Sequence, residues 1–120
     1  MNIIKNLIHA HLQKKLFLIL SLEGVKLSIT DEINDKNNGE SYLNINLKRA
    51  TEVKIRPLTE FSNSFMFELV LAHEIGHCVS FNTNGFISEY SANKWAKDFI
   101  KKLPFLIRLF LYRKSYCILN

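Results

Sequence analysis

His73, Glu74 and His77 stand in the order His-Glu-x-x-His inside an apolar run, MFELVLAHEIGHCVSF, at residues 66–81. Coiled as a helix, this run puts the two histidines at i and i+4 on one face, with Cβ atoms about 5–6 Å apart. Imidazoles at that separation can converge on one ion at zinc–nitrogen distances of about 2.0–2.1 Å. Glu74 directly follows the first histidine, so its carboxylate reaches the same side, where a water to be activated would stand. Two ligands and a general base on little more than one helical turn suit metal-assisted hydrolysis of peptide bonds. Packing alone explains the pattern less well. One core histidine in an apolar helix is ordinary, but an unpaired glutamate between two of them is costly to bury.

A catalytic zinc usually takes three protein ligands and a water. The spacing His77-x2-Gly-x2-His would supply the third, but Ser80 and Thr83 occupy those positions. Glu89 is the better candidate. It lies twelve residues after His77, in the first turn of the next helix, and shares a face with Ala92 and Asn93. An antiparallel return through Asn82-Thr83-Asn84-Gly85 would carry its carboxylate back across the histidines. Asn93 would then accept a hydrogen bond from the outer nitrogen of His73 and fix its tautomer. The competing reading of Glu89 is ordinary negative charge near a helix N-terminus. His9 and His11, at i,i+2, point to different helix faces and are expected as surface or partly buried residues rather than ligands.

The elements that must position these groups read as follows. Residues 2–13 predict a first helix, with Ile3, Ile4, Leu7 and Ile8 at helical spacing. LFLILSL (16–22) and VKLSI (25–29) read as strands about a Glu23-Gly24 hairpin turn, and 31–41 as a polar loop. Alternation resumes in YLNINLK (42–48), and EVKIR (52–56) adds a short strand ended by Pro57. Thr59 or Ser62 is the expected cap of the histidine helix, which runs to about Phe81. Ser88 caps the following helix, whose stripe is Ala92, Trp95, Ala96, Phe99, Ile100 and Leu103. Pro104 opens a last helical segment, PFLIRLFLYRKSY. The expected fold class is α+β: three or four short strands packed on a buried central helix, then the glutamate-bearing helix and a C-terminal helix.

The chain has 120 residues, 48% hydrophobic and 22% charged, which suits one globular domain over 1–120. Its net charge is +5. Residues 1–96 hold ten basic and ten acidic side chains, whereas 97–120 hold six basic and one acidic, so the whole excess lies in the tail. The cysteines, Cys78 and Cys117, form no disulfide framework and read as free thiols of a cytoplasmic protein. Lys14-Lys15 before 16–22 resembles a secretory signal only loosely, since the basic region comes late and Glu23 stands at the cleavage position. No apolar run approaches the roughly 20 residues that span a bilayer.

LAHEIGH followed by Glu89-x-x-Ala92-Asn93-x-Trp95-Ala96 resembles the ImmA/IrrE family of small gluzincin metallopeptidases, whose pattern is HExGH followed by E-x-x-A-[ND]-x-[FW]-A. In size and layout the chain is also similar to the minigluzincins. The likeness covers about residues 66–100. It implies a gluzincin-like helix–sheet–helix zincin domain, His73, His77 and Glu89 as zinc ligands, Glu74 as general base, and, loosely, a repressor-type protein as substrate. The link from His77 to Glu89 is shorter than that family leads one to expect.

On this reading Glu74 takes a proton from water and returns it to the leaving nitrogen, while strand 42–48 holds an extended peptide substrate. Tyr90, Tyr112 and Tyr116 are all candidates for the oxyanion donor, and none stands out. A rival reading keeps zinc as a structural element of a regulatory module whose basic tail contacts nucleic acid or membrane. Structural sites normally fill four positions with Cys and His, however, and have no use for a base. The tail carries charge without a DNA-reading motif, so nucleic acid is not expected. LPFLIRLFLYRK is expected as a core helix with a basic outer face in preference to an interfacial one. Cys117 offers a further, inhibitory ligand by position and type alone.

Overall fold

The run at 16–22 continues a helix instead of forming a strand. Ile8, Leu12, Leu16 and Leu20, spaced four apart, are all buried, and they define one inward stripe along α1 (Ile3–Leu22). The strand expectation failed because LFLILSL is apolar on every side, which hides the period. Phe17, Leu18 and Leu22 face outward. Glu23-Gly24 is accordingly the end of this helix and not a hairpin. Gly24, at φ +70°, donates to the Ser21 carbonyl at 3.1 Å, and Val25 donates to that of Leu20 at 2.9 Å. This paired closure needs a left-handed residue, and Val25 and Leu20 bury together beneath it.

The structure is a computed structural model and describes residues 3–61, 65–109 and 111. After the α1 cap come β1 (Lys26–Ile29), β2 (Gly39–Asn44) and β3 (Arg49–Ile55), forming a three-stranded sheet in the order β1-β3-β2. β1 runs parallel to β3, and β2 runs antiparallel to it. β3 is therefore central, and its Ala50, Val53 and Ile55 are fully buried. The expected strand 42–48 is displaced. β2 begins at Gly39, inside the stretch read as loop, and stops at Asn44, whose Oδ1 accepts from Leu47 N at 2.9 Å to shape the turn. Ile45 and Leu47 thus mimic strand alternation from an exposed turn, which Lys48 closes at φ +55°.

α2 (Met66–Asn84) packs against the sheet and against α1 and carries the histidine motif. Neither expected cap starts it. Phe65, left-handed at φ 67°, occupies the cap position without a side-chain bond; Thr59 lies in a short 3-10 turn (Leu58–Glu60), and Ser62 is outside the described residues. The helix runs one turn past Phe81, to a left-handed Gly85. Ser88 caps α3 (Glu89–Lys101) by accepting from Ser91 N at 3.1 Å. Ala92, Ala96 and Ile100 face inward, while Trp95 stacks on Phe99 at 5.6 Å. The α2–α3 contact is set by a missing side chain. A Cβ on Gly76 would stand 2.5 Å from the Ala92 carbonyl oxygen, so the helices meet backbone to backbone.

A helical stretch at 105–109 follows Pro104. Leu103 and Leu111 are buried and Ile107 packs on the core, but Phe105, Leu106 and Leu109 are exposed. The apolar face expected to pack inward comprises Phe105, Leu106, Leu109, Phe110 and Tyr112; its three described members face solvent instead, the inward positions falling to Leu103, Ile107 and Leu111, and Phe110 and Tyr112 lie outside the described residues. The described residues make an α+β domain, and none of their helices is long and apolar enough to cross a membrane.

Candidate metal centre

His73 and His77 lie one turn apart on α2, half-buried, with ring centroids 4.7 Å apart and planes at 86°. Glu89, at the start of α3, faces both: its Oε2 is 2.8 Å from His73 Nε2 and its Oε1 is 3.2 Å from His77 Nε2. The close Gly76–Ala92 approach, one turn further along α3, brings that carboxylate within reach despite the short connection. One ligand atom from each residue can be chosen so that all three lie within 4.8 Å of one another.

Asn93 fixes the orientation of one ligand. Its Oδ1 can only accept, so the contact at 2.6 Å is a bond from His73 Nδ1–H. This assigns the Nδ1-protonated tautomer and leaves the Nε2 lone pair directed toward Glu89. The donor set fits a small divalent cation. A tetrahedral ion with bonds of about 2.0–2.1 Å spaces its donors roughly 3.3 Å apart, close to the nitrogen–oxygen distances present here. Two imidazoles and one carboxylate are also the chemistry that zinc prefers in an open site.

Glu74 is buried, and β2 determines how it sits. Ser41 Oγ lies 2.7 Å from Glu74 Oε1 and 2.9 Å from its carbonyl oxygen. A Cβ on Gly39 would fall 3.0 Å from Glu74 Cγ, so glycine at that point leaves room for the carboxylate arm. Cys78, one turn along α2, is also hydrogen-bonded to Ser41. Burial pushes its thiol up to about 12, against the opposing effect of the Ser41 bond, with the Glu74 and Glu23 charges adding to the rise. It stays a neutral thiol and is not among the converging ligands.

These groups open onto a cleft of about 640 Å³ between β2, α2 and the start of α3. Leu43, Val70 and Ile87 supply its apolar walls, and Lys36, Asn37 and Asn38 its rim. Arg56 steadies that rim by donating to the carbonyls of Asn37, Ile33 and Asn34 at 3.0, 3.3 and 3.2 Å. β2 pairs only with β3 among the described strands, so its other edge is unpaired beside the cleft.

The five residues singled out in the sequence, His73, Glu74, His77, Glu89 and Asn93, all line this one cleft. Tyr90 does not line it and is 76% exposed, while Tyr112, Tyr116 and Cys117 lie outside the described residues. Ser41 and Gly39 escaped the sequence reading because Asn37-Asn38-Gly39 reads as turn chemistry. His9 takes no part in the centre. It contacts the buried carboxylate of Glu68 and stacks on Phe65 at 4.2 Å, and Gln13 donates to the same carboxylate at 3.0 Å, tying α1 to α2. His11 is partly buried, on another face of α1.

In comparisons with known proteins, no family model, no curated protein and no solved structure matches the chain.

Proposed function

We propose that this protein is a zinc-dependent metallopeptidase of gluzincin-like architecture, with His73, His77 and Glu89 as ligands and Glu74 as general base. The observation that carries the reading is the joint placement of a two-nitrogen, one-carboxylate donor set and a separately anchored second carboxylate in one cleft. A zinc ion held there supplies Lewis acidity and brings the pKa of a water near about 7. Glu74 accepts the proton of the attacking water and passes it to the leaving amide nitrogen. Ser41 holds the carboxylate in place, and Asn93 holds the His73 ring. The unpaired edge of β2 takes the substrate as an extended strand, its side chains falling alternately toward and away from the Leu43 and Ile87 walls. The substrate class is protein or peptide, and the likeness to ImmA/IrrE points to a repressor-type regulator. A free thiol at Cys78 suits a reducing, cytoplasmic setting.

The test combines metal content with cleavage of an unstructured protein, with and without chelator. Wild type should carry about one zinc per chain and lose activity to chelator. Glu74→Gln should keep zinc and lose at least about a hundredfold in turnover, since an amide cannot accept the proton. His73→Ala and His77→Ala should lose the metal, and Glu89→Ala should hold it more weakly. Undiminished cleavage by Glu74→Gln, or full zinc occupancy in both histidine variants, would refute the reading.

A further inference from the structure

Six large apolar side chains of two neighbouring stretches face water: Ile3, Ile4 and Leu7 from the first turns of α1, and Phe105, Leu106 and Leu109 from the C-terminal stretch. Each is between 59% and 71% exposed. Ile4 and Leu7 face Pro104 and Leu106 across a groove of about 460 Å³, and Ile3, Phe105 and Leu109 neighbour them along the same two helical stretches. Scattered exposed leucines need no explanation, but a contiguous apolar face of this kind marks a contact surface.

Charge identifies the contact. Residues 1–22 contain three lysines and no acidic residue, a charge of +3. Residues 97–120 contain six basic and one acidic residue, +5, so the two ends of the sequence, from which the face residues come, sum to +8. Residues 23–96, with seven basic and ten acidic residues, carry −3. Lys101 and Lys102, just ahead of the 104–109 stretch in sequence, are exposed, and the Arg108 guanidinium lies 5.8 Å from the Phe105 ring centroid. A second copy docking about a two-fold axis would set one basic rim against another. Nucleic acid would meet a mostly aliphatic centre that offers one ring, Phe105, for stacking and no hydrogen bonds to bases. An anionic bilayer surface satisfies both halves, taking the aliphatic centre into the acyl boundary and the rim among its headgroups.

We propose that the face formed by the N-terminal turns of α1 and residues 104–109 docks peripherally on anionic lipid membranes. None of the described helices can cross a bilayer, so the attachment is superficial. The metal-centre cleft shares no lining residue with the groove and stays open to a substrate. This inference is independent of the proposed catalysis.

The test is co-sedimentation of the full chain with vesicles of phosphatidylcholine alone or mixed with phosphatidylserine. Binding should be at least about tenfold stronger with phosphatidylserine and should weaken as salt rises. Lys101→Gln and Lys102→Gln should each lower partitioning about fivefold. The double variant Leu7→Gln/Leu106→Gln should lower it at least about tenfold, and because both residues are exposed its melting should match wild type. Ile45→Gln, an equally exposed apolar position in the β2–β3 turn, should bind as wild type does. Absence of sedimentation, binding indifferent to phosphatidylserine, or equal loss in Ile45→Gln would overturn the proposal. So would a lipid-free dimer, seen by light scattering, that the Leu7→Gln/Leu106→Gln variant dissociates.

Discussion

The hydroxyl of Ser41 sits 2.7 Å from Glu74 Oε1 and 2.9 Å from the carbonyl oxygen of the same residue, joining the edge strand β2 to the helix that carries the histidines. A hydroxyl has one proton, so it serves either oxygen in turn; donation to Oε1 holds the carboxylate beside the metal ligands, and donation to the carbonyl ties β2 to the α2 backbone. Ser41→Ala removes that restraint. A hydrogen bond to a charged group contributes about 1.5–3 kcal/mol, so turnover should fall roughly tenfold or more. KM and zinc content should stay unchanged, since Ser41 acts through Glu74 and touches no ligand. Ser41→Thr keeps the hydroxyl and should recover most of the loss. A folded Ser41→Ala protein with wild-type kcat would show that the strand does not position the base.

Asn93 acts on the other side of the centre. Its Oδ1 accepts from His73 Nδ1 at 2.6 Å and sets which ring nitrogen faces Glu89. Removal of such an outer-sphere partner typically weakens metal binding about 10–100-fold. Asn93→Ala should show a loss of that size in competition with a chromogenic chelator, while Asn93→Asp, which can still accept, should hold zinc at least as well. Equal affinity in Asn93→Ala would mean that packing alone orients the ring.

The parts of the site that were legible in the sequence are those in which chemistry and period coincide. His73, Glu74 and His77 declare a helix face by their spacing, and Ser88 with the Ala92–Ala96–Ile100 stripe declares the next helix. Both signals are local. What was not legible depends on partners far along the chain. LFLILSL has no polar side to reveal its period, and only the closure of Gly24 and Val25 onto the last turn marks it as helix. Nothing near Lys26–Ile29 says that its partner is the parallel strand Arg49–Ile55, twenty residues on, instead of a neighbour across a hairpin. Ser41 was hidden for a related reason. Its local neighbours favour a turn, and the long-range pairing of Gly39 with Ile55 overrides them.

Gly76 fixes the distance between the two ligand-bearing helices. A Cβ there would meet the Ala92 carbonyl oxygen at 2.5 Å, a contact with backbone that no rotamer change relieves. Gly76→Ala should therefore push α3 outward. Overpacking of this kind costs about 1–3 kcal/mol, visible as a lower Tm, and it should draw Glu89 away from the histidines and weaken zinc binding in parallel. An unchanged Tm would mean that the helices are further apart than this packing requires.

Cys78 gives a test that reads burial directly. Its side chain is fully buried, and burial, outweighing the Ser41 hydrogen bond, pushes the thiol from its ordinary 9.0 to about 12. In a Cys117→Ser background, where it is the sole thiol, it should resist thiol reagents at pH 8 in the native protein and react at once when unfolded. The same shift makes stability depend on pH. Below about pH 9 the thiol is protonated in both states and its contribution is fully present. As pH rises toward 12 the unfolded chain releases the proton first, so folding loses stability, by at most about 1.4 kcal/mol per pH unit. Lysines and tyrosines titrate in the same range, so the informative quantity is the difference between this protein and one that also carries Cys78→Ala. The two denaturation midpoints should run parallel below pH 9 and converge or cross above it. Parallel midpoints up to pH 11 would place the thiol in contact with water.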